Sequence, residues 1–287
     1  MKQKNRDGVF INIESKQDRL LDILYRNVWG RMLLKPLTAP IVSRVAGGFL
    51  SSKVSCVLIE PFIRKYDIDM KQFESAKYQN YNEFFSRRIR SNARTIDSDP
   101  NNLISPCDSK LQVFPIKKGS HFRVKHTDYS VSSLLQNEEL AATYEGGYAW
   151  IFRLTVDDYH RYCYAADGAK EENIRIPGVL HTVNPVANDF YPIYKENSRE
   201  YSILHSSCFG DLVMMEVGAL LVGKIVNYHE KTLVHRGQEK GYFQFGGSTI
   251  ILLTQKDRIQ VDKDILENSA AGIETIVKYG EKIGNNV

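Results

Sequence analysis

The sequence is poor in the features that mark several common protein classes. Its four cysteines, Cys56, Cys107, Cys163 and Cys208, lie far apart and form no Cys-x-x-Cys pair. A zinc site wants clustered Cys and His ligands, and a secreted disulfide scaffold is short and cysteine-dense. Reduced thiols and no metal are therefore expected. The opening residues, MKQKNRDGVF, lack the apolar core of a signal peptide. The longest apolar stretch, Leu37 to Ile59, is broken by Pro40, Arg44 and Lys53. A spanning helix needs about 20 mostly apolar residues, and a charge at mid-membrane is costly. This segment is expected to lie on a membrane or in a core, not to span. No Gly-Lys-Ser/Thr stands at phosphate-loop spacing. What the chain does have, 43% hydrophobic residues, is enough for a core that needs no metal or disulfide.

Charge is distributed unevenly. Residues 1–95 hold 18 Lys and Arg against 9 Asp and Glu, which leaves 20 against 25 for the remainder. A basic N-terminal region suits an anionic surface. Anionic lipid fits better than nucleic acid, because the basic residues are spread over apolar helical patterns and form no nucleic-acid reading motif. No nucleic acid is expected as a partner.

Residues 15 to about 90 read as helical. Leu20, Leu21, Leu24, Val28 and Met32 recur at three- and four-residue steps, while Arg19, Arg26 and Arg31 fall mainly on other faces. That is the pattern of an amphipathic helix at a core or a lipid interface. Pro36, Pro40 and Gly47-Gly48 are expected to divide the region into short helices, and Tyr81 to Ile89 is a second helical stretch. After about residue 100 short β-rich runs take over: Leu111 to Ile116, Tyr148 to Leu154, Asp211 to Val217, Leu221 to Asn227 and Thr249 to Thr254. Short strands separated by turn residues suggest a compact sandwich or barrel, and no alternating long helices support a doubly wound sheet.

One short segment suggests chemistry. Gly246-Gly247-Ser248 precedes a β-rich run. Glycine permits backbone conformations that other residues resist, and a small residue before Ser248 leaves its hydroxyl free to reach back to the preceding carbonyl. Taken alone, a Gly-Gly turn before a strand is commonplace. The wider segment, Arg236-Gly237-Gln238-Glu239-Lys240-Gly241-Tyr242-Phe243-Gln244-Phe245-Gly246-Gly247-Ser248-Thr249, closely resembles the self-processing segment of phosphatidylserine decarboxylases. Ser105-Pro106-Cys107-Asp108, Asp158-Tyr159-His160-Arg161, Thr182-Val183-Asn184-Pro185 and Val217-Gly218-Ala219-Leu220-Leu221-Val222-Gly223 match further segments of that family in order. Phe84-Phe85-Ser86-Arg87 fits the segment before the Asp motif, so the resemblance runs from about residue 80 to 255.

The resemblance implies a proenzyme that cuts itself between Gly247 and Ser248 and converts Ser248 into a pyruvoyl group. That carbonyl would serve as the electron sink for decarboxylation of phosphatidylserine to phosphatidylethanolamine. It implies catalytic roles for Ser248, Asp108 and a histidine acting as a relay. It further implies cleavage products 1–247 and 248–287, a peripheral place on the cytoplasmic side of the cell membrane, and a homodimer. The expected fold is α+β. A helical membrane-associating region occupies residues 1–95, and a β-rich, sandwich- or barrel-like catalytic body occupies 96–287.

The match departs from the family at the relay. The common pattern is Tyr-His-Arg-x-His, and here it reads Tyr159-His160-Arg161-Tyr162-Cys163. The base is then His160, which keeps the first position, or His181, just before Thr-Val-Asn-Pro. Cys163 is a poor base at neutral pH, since a free thiol has a pKa of about 8.5. Ser109 and Ser198 also stand where the family usually has Gly and Glu. Two other readings remain open at this stage: a pyruvoyl decarboxylase of a soluble amino acid, and a membrane-binding relative that never processes.

Overall fold

The computed structural model describes residues 2–11, 27, 40–124, 127–182, 192–219, 224–245 and 248–287. The protein is β-rich. Among the described residues the main sheet has eleven strands, with Ser248–Thr254 near the centre, flanked antiparallel by Gly210–Val217 and Tyr148–Leu154. Arg199–Ser206 extends the sheet beyond Gly210–Val217, and Ser109–Pro115 and then Glu274–Val277 extend it beyond Tyr148–Leu154. Gln3–Lys4 adds a parallel strand to Glu274–Val277, so residues 3 and 4 join the main sheet.

Every residue of Ser248–Thr254 is buried. The run Ile250-Ile251-Leu252-Leu253 is apolar on both faces of the strand, which is what a strand covered on both sides requires. At about 1.5–3 kcal/mol for each fully buried aliphatic side chain, these four residues hold the strand in place independently of the chain before Ser248. On one side, the face of Ser248 and Ile250 meets a small sheet of Ile225–Asn227, Glu239–Phe243 and Arg161–Cys163. The contact is made by Lys240 and Asn227, whose side chains reach Glu216, the residue opposite Ile250.

The described helical part is smaller than the sequence pattern suggests. Helices span Pro40–Leu50 and Ile59–Tyr66, with a 3-10 turn at Lys53–Leu58 between them. Pro40 opens a helix, at the position where its missing N–H costs nothing. Gly47-Gly48 were expected to break the chain here, yet the helix runs through them to Leu50, which is anchored in an aromatic cluster with Tyr81, Phe84 and Phe85. The stretch expected to be helical from Tyr81 to Ile89 ends at Phe85. Its start is fixed by Asn80, whose Oδ1 accepts from Glu83 N at 2.9 Å, while Glu83 Oε2 accepts from Gln79 N at 2.5 Å. It is capped by Ser86, whose N donates to the Asn82 carbonyl at 3.0 Å, and Ile89 beyond it forms a bridge with Phe73. The apolar face of Leu20, Leu21, Leu24, Val28 and Met32 lies outside the described residues. Among the described residues no helix is long and apolar enough to cross a membrane.

Candidate active site

Ser248 is the first residue of its strand and has no solvent exposure. Its Oγ makes no hydrogen bond among the described residues. A buried hydroxyl without a partner is costly and uncommon, and one placed directly after a Gly-Gly pair is the feature of this site that most needs a chemical reason. Gly246 and Gly247 lie outside the described residues. The approach to them is described: Gly241 packs so tightly that a Cβ there would fall 2.0 Å from the Val226 carbonyl oxygen. Phe245 N then donates to Asn82 Oδ1 at 3.3 Å. Asn82 Nδ2 in turn donates to Ser51 Oγ at 2.9 Å, so the segment before the Gly-Ser bond is tied to the helical lobe.

His160 is fully buried at the end of the small sheet. Its carbonyl accepts from Phe243 N at 2.9 Å, which places it beside the strand leading to Ser248. Its ring lies 4.1 Å from that of Phe85, which lies 5.0 Å from that of Phe245. Nδ1 is 2.9 Å from the Asp158 carbonyl oxygen. A carbonyl only accepts, so Nδ1 carries the proton and Nε2 carries the lone pair. Nε2 is buried and has no partner among the described residues. Burial pushes the imidazole pKa down to about 4, against the pull of Asp158. The ring is therefore neutral at physiological pH, with a free lone pair as a base needs.

Asp108 stands apart from His160. Its carboxylate accepts from Arg94 Nε at 3.0 Å and Nη2 at 2.5 Å, and from Tyr279 N at 2.8 Å. Cys163 occupies the same corner: its backbone N donates to the Pro106 carbonyl at 2.9 Å, and its Sγ faces the Ser105 carbonyl at 3.9 Å. Burial pushes the Cys163 thiol up to about 12, which removes it as a base near neutrality. Among the described residues Asp108, His160 and Ser248 are not hydrogen-bonded to one another. The pairings Val277↔Ser109, Lys110↔Arg153 and Ser248↔Leu154 put Ser109 level with Ser248 two strands away, about 10 Å at ordinary strand spacing.

His181 approaches from the other side. Its backbone is clamped by Asn197, which accepts from His181 N at 2.9 Å and donates to its carbonyl at 2.8 Å. Asn197 Nδ2 also donates to the Gly218 carbonyl at 2.7 Å. The pairing Val217↔Thr249 carries Gly218 level with Ser248. His181 Nε2 lies 3.5 Å from Glu196 Oε2, and burial lowers its pKa. Of the segments quoted from the sequence, Val183 to Pro185 and Leu220 to Gly223 lie outside the described residues.

Residues 81–285 match the family model for phosphatidylserine decarboxylase. The chain belongs to the phosphatidylserine decarboxylase family. It is 46% identical to phosphatidylserine decarboxylase proenzyme 2 of Clostridium acetobutylicum over 282 residues, 98% of this chain and 97% of the relative. It is 41% identical to the phosphatidylserine decarboxylase proenzyme of Clostridium novyi over 290 residues, 99% of this chain and 98% of that one. The proenzyme of Ruminiclostridium cellulolyticum is 41% identical over 273 residues, 93% of this chain and 91% of its own length.

Around Ser248 the structure places two groups to which the sequence reading gave no role. Glu216 and Lys240 form an ion pair with no solvent exposure, both carboxylate oxygens lying 2.8 Å from Nζ, and Asn227 bonds both partners. Glu216 is opposite Ile250 and so lies diagonally across from Ser248, a cross-strand separation of about 7–8 Å. Asn197 is the other: the sequence sets it in an Asn197-Ser198-Arg199 segment that departs from the family at Ser198, and nothing there announces its three backbone bonds. Ser248 itself fits as the source of the pyruvoyl group that this family resemblance implies, because its hydroxyl is buried, unpartnered among the described residues and fixed at the start of a rigid strand.

Proposed function

We propose that this protein is a phosphatidylserine decarboxylase proenzyme that cuts itself between Gly247 and Ser248 and then converts phosphatidylserine to phosphatidylethanolamine. The observation that carries the reading is the buried Ser248 Oγ at the head of the central strand, which has no hydrogen-bond partner among the described residues. Ser248 Oγ attacks the Gly247 carbonyl carbon, and its proton passes to a base. The C–N bond breaks as the nitrogen of residue 248 takes up a proton. The resulting ester is lost by elimination, with residue 247 leaving as a carboxylate. Hydrolysis then releases ammonia and leaves a ketone at residue 248. Among the candidates, His160 carries the free lone pair and is our choice of base, with His181 second. Asp108 is proposed as the relay carboxylate on the family motif. The pyruvoyl group, once formed, supplies the electron-withdrawing carbonyl that decarboxylation of an amino acid headgroup needs.

The cut does not separate the products. The 40-residue fragment (287 − 247) begins with the central strand and also carries Glu274–Val277, which pairs with Ser109–Pro115 of the larger chain. Its buried apolar residues keep it in place.

The lipid substrate and a peripheral site on the cytoplasmic membrane face are supported by the helical lobe. Val45, Phe49, Val54, Val57 and Leu58 are all exposed, next to exposed Lys53 and Arg64. Apolar side chains together with basic charge are the two signals of reversible membrane attachment. A second copy of the chain is the further partner that the resemblance implies.

The deciding measurement is the intact mass of the purified protein under denaturing conditions. Two chains split at 247/248, the smaller of them blocked at its N-terminus, are expected, and Ser248→Ala is expected to stay whole. A wild-type chain that remains uncut would favour the non-processing alternative. Turnover of free amino acids but not of phosphatidylserine vesicles would favour the soluble-substrate alternative.

A further inference from the structure

Arg87 is 2% exposed, yet it forms no ion pair among the described residues. Its Nη1 reaches the Phe84 carbonyl at 3.4 Å, while Nε and Nη2 have no partner there. The guanidinium lies 4.1 Å from the ring centroid of Phe73 and 4.8 Å from that of Phe84. Two cation–π contacts offset only part of the cost of desolvating an ion. The groups that act on its charge are the hydroxyls of Tyr78, Tyr81 and Tyr159, not carboxylates. Tyr78 Oη is itself buried and without a partner among the described residues. A buried cation and a buried hydroxyl, each with unused hydrogen-bonding capacity, thus sit around one aromatic cluster. That cluster touches the site, since Phe85 packs on both His160 and Phe245, and the Arg87 charge is felt at His160.

We propose that Arg87, assisted by Tyr78 Oη, is the subsite that takes the phosphodiester of the lipid headgroup. The inference rests on the function proposed above. A planar guanidinium with two free N–H donors matches an anionic phosphate oxygen pair. The substrate carries a second anion, the carboxylate, but a cation held on that group stabilises it before reaction and opposes loss of CO₂. The phosphodiester keeps its charge throughout and is one CH₂–O link from the amine-bearing carbon. The proposed cut falls two residues after Phe245, whose ring packs 5.0 Å from Phe85 and 5.1 Å from Tyr81 and forms one wall of the cluster. The same cluster includes Leu50, at the end of the helix that exposes Val45 and Phe49, which puts the subsite in the lobe that meets lipid.

The test uses the cut wild-type enzyme with glycerophosphoethanolamine, inorganic phosphate and ethanolamine, followed by titration calorimetry and thermal unfolding. Glycerophosphoethanolamine should bind and raise Tm, and ethanolamine should do neither. Arg87→Met should be cut normally, lose at least tenfold in that affinity and show at least a tenfold higher KM for phosphatidylserine in mixed micelles, with a smaller change in kcat. Unchanged affinity in Arg87→Met, or a wild-type Tm that glycerophosphoethanolamine leaves unmoved, would overturn the assignment. Binding of inorganic phosphate alone would also overturn it, leaving a free-anion site. If Arg87→Met fails to fold, the wild-type calorimetry still decides, and Arg87→Lys should retain only part of the affinity. A wild-type protein that stays uncut or leaves phosphatidylserine unchanged counts against the proposed function. Normal turnover with an unchanged KM in Arg87→Met counts against Arg87 alone.

Discussion

Arg94 grips Asp108 through two parallel hydrogen bonds, Nε to Oδ1 at 3.0 Å and Nη2 to Oδ2 at 2.5 Å, with the carboxylate almost wholly buried. Tyr279 N adds a third donor at 2.8 Å. Asp108→Asn replaces one acceptor oxygen with an amide donor facing Arg94 and removes the counter-charge of a mostly buried cation. A loss of about 2–4 kcal/mol in stability is expected from such a break. If Asp108 also serves the relay, the variant stays largely uncut at a temperature where it remains folded. Arg94→Met provides the comparison, since it disturbs the same corner but keeps the carboxylate. Cleavage is read by denaturing electrophoresis and folding by circular dichroism. A folded Asp108→Asn protein that is cut at the wild-type rate removes Asp108 from the relay.

The two candidate bases differ in what surrounds them. His160 offers a buried lone pair on Nε2, whereas His181 faces Glu196. His160→Ala is expected to slow cleavage by at least about 100-fold, the usual scale for loss of a general base, and His181→Ala by much less. The reverse order of rates would transfer the role to His181.

His160 also predicts a pH dependence of stability. Its pKa is about 4 in the fold and 6.5 unperturbed, so between those values the unfolded chain binds the extra proton. Stability from this group is therefore complete above pH 6.5 and is lost as pH falls toward 4, at up to ~1.4 kcal/mol per pH unit. His181, shifted the same way by burial, adds to the slope. His160→Gln should flatten the decline in urea midpoints between pH 6.5 and 4. An unchanged slope would mean that the ring is charged or exposed in solution.

Much of the central sheet was legible because its strands are apolar or alternate cleanly. Tyr148 to Leu154 is found with the expected limits, and Asp211 to Val217 and Thr249 to Thr254 each begin one residue earlier than expected. Arg199–Ser206 was missed because its sequence, REYSILHS, mixes charged and apolar residues with little period, and its buried Arg199 donates to backbone carbonyls, those of Lys195 and Asn197 nearby and of Ser133 and Leu134 far along the chain. Gln3–Lys4 could not be read at all, since a two-residue strand gains its meaning from a partner 271 residues away. At the candidate site, Ser248 and His160 were singled out through motifs. Glu216 and Lys240 were not, because an ion pair between a strand and a neighbouring sheet leaves no spacing signal in the sequence.

That pair makes a prediction of its own. Lys240→Met leaves Glu216 buried without its cation, although burial already raises the pKa of that carboxyl. A loss of about 3–5 kcal/mol is expected for breaking one side of such a pair. Replacing both at once, as Glu216→Leu with Lys240→Met, should restore most of the stability, because apolar pairs of similar volume often replace buried ion pairs at little cost. The comparison belongs in a Ser248→Ala background, where a single intact chain keeps urea unfolding free of fragment dissociation. If the double variant is no more stable than the single one, the pair contributes shape and hydrogen bonding that apolar side chains do not replace, and Asn227, which bonds both partners, becomes the residue to vary next.

The helical lobe gives the last prediction. Phe49 is 52% exposed, Val54 71% and Val57 69%, within one helix end and the turn that follows it. If these side chains enter the lipid interface, each contributes up to about 1.5–3 kcal/mol to membrane binding, or roughly 10- to 100-fold in partitioning. Phe49→Glu with Val57→Asp should therefore reduce co-sedimentation with vesicles of anionic lipid by at least tenfold, while cleavage at 247/248 and Tm stay near the wild-type values. Raising the salt concentration should weaken wild-type binding only in part, because screening acts on Lys53 and Arg64 but not on apolar contact. Binding abolished by salt and indifferent to Phe49→Glu with Val57→Asp would mean that the basic charge alone holds the protein at the membrane, and the exposed apolar residues would then face something other than lipid.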